Sequence, residues 1–317
     1  MITLWDGAGG PPVVAFGGNA LLPGGEEPGA AARNAAAFAE VVLQLLSPDA
    51  GLVLVHGNGP QVGEALIRNE AAATEAPPSP LDVLVAETQG GIGYLLERAL
   101  LNALSRVGAP RPVVTVVTQV VVDPDHPAMA QPTKPVGPFY PAGHGASVAA
   151  VRGWTMVDVP GRGLRRVVPS PPPIEVVETP SIRALAEAGA VVIAGGGGGI
   201  PVARHSGELR GVEGVIDKDR TAALIARSMD ACGLLILTEV DNVYTGFGTE
   251  RQAVLRRAAA AEARRLLAEG EFPPGSMGPK VEAAADFAET TGRDAVITSV
   301  AAFGDTLAGT AGTRITP

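Results

Sequence analysis

The sequence predicts an α/β fold in which helices cover a mostly parallel central sheet. Short β-branched apolar segments, such as residues 13–16, 52–55 and 191–193, alternate with longer stretches of helical periodicity. A Gly-rich turn directly follows each of these three segments. At 317 residues the chain exceeds the usual single-domain size, so we expect two lobes or one large α/β unit.

The predicted elements follow this alternation along the chain. A proline cluster near residue 78 separates the second helix from the third. Helices are predicted from after residue 61 to about residue 72, and at residues 30–46, 81–104, 220–229, 258–268 and 281–290. Strands are predicted at residues 13–16, 52–55, 113–122, 191–193, 234–237 and 295–297.

One long segment interrupts the pattern. From residue 123 to about residue 180 the periodicity gives way to sequence rich in proline and glycine. Irregular stretches of this length are usually functional lids or small subdomains. We therefore expect this segment to form a lid subdomain.

Composition excludes several classes of function. A net charge of −9 and 4% aromatic residues argue against a general nucleic-acid binder. Since there is no apolar run of about 18 residues, and no basic segment followed by an apolar one at the N-terminus, we expect a cytoplasmic protein without membrane spans. One cysteine cannot form an internal disulfide, and four scattered histidines do not suggest a zinc site.

The Gly-rich turns predict an anion cradle. The carboxyl ends of parallel strands share one edge of the sheet, where ligands bind, and glycines let backbone N–H groups approach an anion closely. Alternatively, glycine is only a steric requirement of the turns. Asn19 and Asn58 lie in the first two turns, where each either binds substrate, caps the following helix, or adopts a left-handed conformation. None of the turns is a Walker A loop.

Lysine is scarce in this chain. Only Lys134, Lys218 and Lys280 are lysines among 24 basic residues, and each is predicted near a loop or a helix start. A compact ammonium suits point contacts with phosphate oxygens better than the planar fork of arginine does. Alternatively, the presence of lysine at these three positions reflects chance. Asp217 and Asp219 flank Lys218, where they would orient lysines or hold Mg²⁺; the alternative is a helix cap with a local ion pair. Together these residues indicate an ATP-using phosphoryl-transfer enzyme.

Ten motifs spread over the whole chain resemble, in order, those of the carbamate kinases. The resemblance implies the amino acid kinase fold, an open αβα sandwich with a mostly parallel central sheet and a protruding lid subdomain. Its N-terminal lobe would bind carbamate or carbamoyl phosphate (1–210, with the lid at 124–180), and its C-terminal lobe would bind the nucleotide (211–317). The motifs occupy residues 14–20, 56–63, 88–94, 118–124, 132–139, 165–171, 195–202, 211–219, 235–243 and 275–280.

The resemblance also implies a reaction and a cofactor. It implies reversible phosphoryl transfer between ATP and carbamate, with Mg²⁺ accompanying ATP or ADP and no metal held by the protein alone. Relatives commonly make ATP from carbamoyl phosphate, here in arginine or related nitrogen catabolism, and form homodimers. The alternatives are a kinase of another small carboxylate on the same fold and a non-catalytic sensor of nucleotide or carbamoyl phosphate.

The site residues are carried over by position. Relatives with other substrates place a lysine in the first glycine turn, and Lys134 would supply that missing charge from the lid. The catalytic residues would be Lys134, Lys218, Lys280, Asp217 and Asp219. Substrate would bind to Gly17, Gly18, Asn19, Gly57, Asn58 and Gly59, and the nucleotide to Asp241, Tyr244, Met277 and Lys280.

Overall fold

The computed structural model describes residues 9–17, 29–47, 50–273 and 275–317. Its centre is an eight-stranded sheet in which only one neighbouring pair, that of the strands at 295–299 and 313–316, is antiparallel. In spatial order the strands are β15 (Arg257–Ala259), β17 (Thr313–Thr316), β16 (Ala295–Ser299), β12 (Leu234–Thr238), β1 (Val13–Phe16), β2 (Leu52–His56), β9 (Val191–Ile193) and β3 (Val113–Thr115).

Helices cover both faces of this sheet because its central strands are apolar on both sides. Val14 packs into one hydrophobic cluster with Phe38 and Leu96, whereas Ala15 packs into another with Ile225 and Phe287. The first face carries α1 (Ala30–Leu45), α3 (Leu81–Arg106) and α10 (Phe303–Leu307), and the second carries α6 (Thr179–Glu187), α7 (Lys218–Ser228), α8 (Ala260–Ala268) and α9 (Met277–Thr291). The predicted αβα sandwich with a mostly parallel sheet is confirmed.

The segment that the sequence leaves without periodicity contains a small antiparallel sheet. Its strands lie in the order β5 (Lys134–Tyr140), β7 (Gly163–Val168) and β6 (Thr155–Val159), and α5 (Ala142–Arg152) follows β5. Two prolines and a glycine hide the strand pattern of β5, which is an edge strand and therefore tolerates proline. This strand packs against α2 (Gly59–Ala71), and the short helix α4 (Pro127–Ala130) precedes it.

The single valine-rich strand predicted at residues 113–122 is wrong. After β3 the chain leaves the central sheet and continues as β4 (Gln119–Val121) in a second sheet, ordered β11 (Glu208–Gly211), β10 (Ile200–His205), β4 and β8 (Glu175–Val176). The side chain of Gln89 bonds both the N–H and the carbonyl of Thr118. The Thr118 carbonyl also accepts from the backbone N–H of Ile200 at 2.9 Å, so the chain joins the second sheet at this point.

The two helices that carry Lys218 and Lys280 begin earlier than the sequence predicts. α7 begins at Lys218 rather than at residue 220, and α9 begins at Met277 rather than at residue 281. Lys218 and Lys280 therefore lie in the first turns of these helices. A hairpin of β13 (Val243–Thr245) and β14 (Ala253–Leu255) completes the fold. Within the described ranges, no helix is long and apolar enough to span a bilayer.

Candidate active site

A cavity of about 950 Å³ opens at the carboxyl edge of the central sheet. Gly17 after β1, residues 57–59 after β2, and Gly197 after β9 all line it. These three strands are neighbours in the sheet and parallel to one another. The predicted convergence of the three Gly-rich turns is therefore confirmed for the part of the chain that the structure describes. Gly18 and Asn19 lie outside the described residues.

The third turn approaches the second so closely that it requires glycine. A Cβ atom on Gly197 would lie 2.2 Å from Nδ2 of Asn58, and the φ of Gly197 is +69°. L-residues with a side chain rarely adopt this conformation. The contact explains at least one glycine of the run at residues 195–199 on steric grounds, as the alternative reading of these turns proposed.

Asn58 does not cap the helix that follows it. It occupies the N-cap position of α2, but its side chain makes no capping hydrogen bond and its φ of −137° is not left-handed. The amide instead donates from Nδ2 to the Thr88 hydroxyl at 2.9 Å. With both structural alternatives excluded, substrate binding remains the prediction for this buried residue, which lines the cavity.

The three lysines meet around the two aspartates. Nζ of Lys134 lies 3.0 Å from Asp217, whereas Nζ of Lys218 and Nζ of Lys280 lie 2.5 and 3.0 Å from the two carboxylate oxygens of Asp219. Asp217 also caps α7, since its Oδ1 accepts from the backbone N–H of Asp219 at 2.9 Å. The cap and local ion pair of the alternative reading are thus present, but the cluster also joins lysines 83 and 61 residues away from their aspartates.

Burial makes this cluster electrostatically strong. The side chain of Asp219 is 3% exposed and that of Asp217 is 13% exposed. Burial raises the pKa of Asp217, but the ammonium groups of Lys134 and Lys218 more than offset that effect and lower the pKa to about 2. Burial also lowers the pKa of Lys218 from its ordinary value, against the attraction of Asp219.

His56, at the end of β2, adds no positive charge to the cavity. Its ring is buried beside the third glycine turn, and Nδ1 lies 3.1 Å from the carbonyl of Gly57. Burial lowers the pKa of His56 to about 4. The ring is therefore neutral near pH 7, and the lysines are the cations near the glycine turns.

The residues predicted for the nucleotide separate into two groups. Tyr244, Met277 and Lys280 line the cavity, but Asp241 is not among the lining residues. Asp241 instead accepts a hydrogen bond from the hydroxyl of Ser299 at 2.6 Å. Ser299 lines the cavity, so Asp241 contacts a lining residue without lining the cavity itself. Its contact with nucleotide remains a prediction.

Sequence reasoning missed several residues that line or support the cavity. Phe247 and Phe272 line it together with Tyr244, and 59% of Phe247 is exposed. An aromatic residue in a Gly-rich hairpin was the available signal for Phe247. Gln89 is buried beneath the third turn, where its Nε2 donates to the carbonyl of Gly196 at 2.9 Å. Gln89 belongs to the motif at residues 88–94, but a sequence does not show which backbone groups a glutamine bonds.

The donor set suits a metal that arrives with the nucleotide. Within the described residues, no group of three or more histidine, cysteine and acidic side chains could hold a metal ion. All four carboxylate oxygens of Asp217 and Asp219 have protein partners. Mg²⁺ usually keeps several waters and is bound through substrate phosphates with one or two carboxylates. The residues present therefore fit Mg²⁺ held mainly by phosphates.

Known proteins share both the sequence and the architecture. The model of the amino acid kinase family matches residues 11–299. The carbamate kinase of Pyrococcus horikoshii is 42% identical over 309 residues, which cover 96% of this chain and 98% of that protein. The carbamate kinase-like protein YahI of Escherichia coli is 45% identical over the same shares of the two chains.

A solved structure agrees over nearly the whole chain. The carbamate kinase from Giardia lamblia bound to AMP-PNP superposes with a TM-score of 0.90 at 39% identity, covering 98% of this chain and 99% of that one. At this identity and coverage the two proteins share sequence as well as fold. The chain therefore belongs to the amino acid kinase family and, within it, to the carbamate kinases.

Proposed function

We propose that this protein transfers a phosphoryl group reversibly between ATP and carbamate. The observation that carries the proposal is the cluster of Lys134, Lys218 and Lys280 around two aspartates in a cavity lined by three glycine turns. Its relatives named carbamate kinases support the choice of carbamate over another small carboxylate. The residues of the cluster would bind and align the phosphates.

The proposed mechanism needs alignment and charge neutralisation rather than a general base. Carbamate is already an anionic nucleophile, so no proton has to be removed before it attacks. Phosphoryl transfer spreads negative charge over the equatorial oxygens, and positioned cations stabilise that charge. Lys134 would reach the phosphoryl group from the small sheet, while Lys218 and Lys280 would reach it from α7 and α9. Asp219 would hold the latter two lysines in register.

Mg²⁺ belongs to the proposal as a companion of the nucleotide. When bound, it would neutralise part of the charge on the ATP or ADP phosphates. The protein's own part is to hold the phosphates between the glycine turns and the lysines. We further propose that the segment at 124–180 acts as a lid that excludes water, because Lys134 and the two residues that follow it line the cavity.

The biological setting follows from the same proposal. We propose that the reaction makes ATP from carbamoyl phosphate in arginine or related nitrogen catabolism, in the cytoplasm. We also propose a homodimer. The outward face of α3 supports it, because Val83, Tyr94 and Leu101 are between 41 and 59% exposed there, and the space beside Gly90 and Gly91 is open. Light scattering should give about twice the chain mass of 32.0 kDa.

A coupled assay tests the reaction. Protein supplied with ADP, Mg²⁺ and carbamoyl phosphate should form ATP, detected through hexokinase and glucose-6-phosphate dehydrogenase. Absence of ATP at high protein concentration would refute the proposal. If calorimetry then showed nucleotide binding without turnover, the protein would be a sensor, and a panel of acyl phosphates would reveal a kinase of another carboxylate.

A further inference from the structure

The side chains of Thr88 and Asn58 form a short chain of hydrogen bonds at the wall of the cavity. The Thr88 hydroxyl donates to the carbonyl of Val85 at 2.7 Å, one turn earlier in α3. The same oxygen accepts from Nδ2 of Asn58 at 2.9 Å. Both side chains are buried, with Thr88 6% and Asn58 4% exposed.

This arrangement fixes which end of the amide faces Thr88. A hydroxyl has a single hydrogen to donate, and the hydroxyl of Thr88 gives it to Val85. Toward Asn58 the hydroxyl can therefore only accept, so the nitrogen of the amide has to face it. If the amide were flipped, two acceptors would meet in a buried position, and such a buried mismatch is costly.

Gly197 restrains the same amide from another side. A Cβ atom on this glycine would lie 2.2 Å from Nδ2, 2.4 Å from Cγ and 2.6 Å from Oδ1 of Asn58. The amide group therefore packs directly against the backbone of Gly197, and its rotation is restricted. The bond to Thr88 and this contact together hold the amide in one orientation.

The oxygen of the amide is left for a ligand. Within the described chain Oδ1 of Asn58 accepts no hydrogen bond, and it does not belong to the fully buried side-chain atoms that lack a partner. Since Asn58 lines the main cavity, Oδ1 is reached from there. The wall of the cavity thus offers the amide oxygen of Asn58 as a hydrogen-bond acceptor.

We propose that Thr88 is a positioning residue that makes Asn58 present Oδ1 to the amino group of the carbamoyl unit. This inference rests on the proposed function and explains how its site separates a carbamoyl group from an acyl group. Acetyl phosphate carries a methyl group where carbamoyl phosphate carries NH₂. A site built to accept an N–H bond discriminates against an analogue that lacks it, because the buried acceptor is then left unpaired.

The test is the ratio of kcat/KM for carbamoyl phosphate to kcat/KM for acetyl phosphate, with ADP as acceptor. Thr88→Val removes the acceptor for Nδ2 at nearly constant volume, so the amide is no longer oriented. We expect the ratio to fall roughly tenfold to a hundredfold, mainly through carbamoyl phosphate, while KM for ADP changes little. Thr88→Ser keeps the hydroxyl and should retain most of the ratio.

Two further variants separate orientation from general damage. Thr306→Val removes a similarly buried hydroxyl, which donates to the carbonyl of Ala302, and should leave the ratio unchanged. In an Asn58→Ala background, Thr88→Val should have no additional effect on the ratio, because Thr88 acts only through the amide.

The outcomes distinguish this inference from the function on which it rests. If the unaltered protein forms no ATP from carbamoyl phosphate, the proposed function fails. If the unaltered protein is active but Thr88→Val leaves the ratio intact, or changes it equally without Asn58, the positioning role of Thr88 is refuted.

Discussion

Asp219 is the centre of the lysine cluster, and replacing it with asparagine should destabilise the protein. Its two carboxylate oxygens contact Lys218 and Lys280, and its side chain is only 3% exposed. Asp219→Asn preserves the shape of the side chain but removes the charge. Two ammonium groups would then face each other with Asp217 as the remaining nearby carboxylate.

The magnitude follows from distance and burial. At 3.0 Å, the separation of Lys280 from Asp219, a charge pair gains about 5.5 kcal/mol at an effective dielectric constant of about 20. The net loss of stability is smaller than this, since removing one partner of a buried ion pair typically lowers the free energy of unfolding by about 3–5 kcal/mol. Lys218 and Lys280 are 13 and 16% exposed and can be partly hydrated from the cavity. We therefore expect the free energy of unfolding to fall by about 3 kcal/mol.

Asp286 provides a matched control. It also contacts two cations, Arg227 at 3.1 Å and Arg264 at 3.6 Å, but its side chain is 37% exposed. Exposed pairs contribute little, so Asp286→Asn should lower the free energy of unfolding by less than about 1 kcal/mol. Urea unfolding followed by circular dichroism, at equal protein concentration and with unchanged m-values, gives both numbers. Equal losses in the two variants would show that burial does not strengthen the Asp219 cluster.

Two other substitutions test the lid side of the cluster. Lys134→Arg should reduce kcat at least about 100-fold although charge is kept, because the guanidinium fork cannot reproduce a single-point contact with phosphate. As a control, Arg204→Lys in an exposed pair should leave kcat near normal. Near-normal turnover of Lys134→Arg would contradict this account. The lowered pKa of Asp217 stabilises the folded state at neutral pH, and this contribution should be lost as the pH falls from 3.8 to about 2. Lys134→Met should raise that pKa toward its usual value. The free energy of unfolding should then depend less on pH over this range, by about 2 kcal/mol at most, in acid titrations of the variant. Identical titrations of the two proteins would mean that Lys134 does not set the pKa of Asp217.

The sequence predicts the strands and helices of the central layers well, because their burial requires a strong pattern of apolar residues. Strands such as β1 and β12 are apolar on both faces, and α3 repeats apolar residues at helical spacing over 26 residues. The strands of the small sheet have no such pattern. β5 is an edge strand with prolines and a bulge between Val136 and Phe139, so nothing in its local sequence requires a strand.

The site shows the same division between local and distant information. Composition identifies the three lysines, and the cap at Asp217 is visible in the residues beside it. The pairing of Lys134 with Asp217 spans 83 residues, and the bond from Asn58 to Thr88 spans 30. Contacts of this kind depend on how strands and helices are placed in space, and a single sequence does not encode that placement in any local pattern.

The charge balance of the cluster explains why all five residues belong together. Three ammonium groups meet two carboxylates, so the cluster carries one net positive charge before any ligand binds. Burial and the nearby charge of Lys280 lower the pKa of Lys218, and the negative charge of Asp219 opposes that effect. With one carboxylate per lysine, the cluster would be neutral and would attract phosphate weakly. Two aspartates therefore offset part of the charge of three lysines and still leave the cluster attractive to an anion, which suits binding and releasing a phosphoryl group.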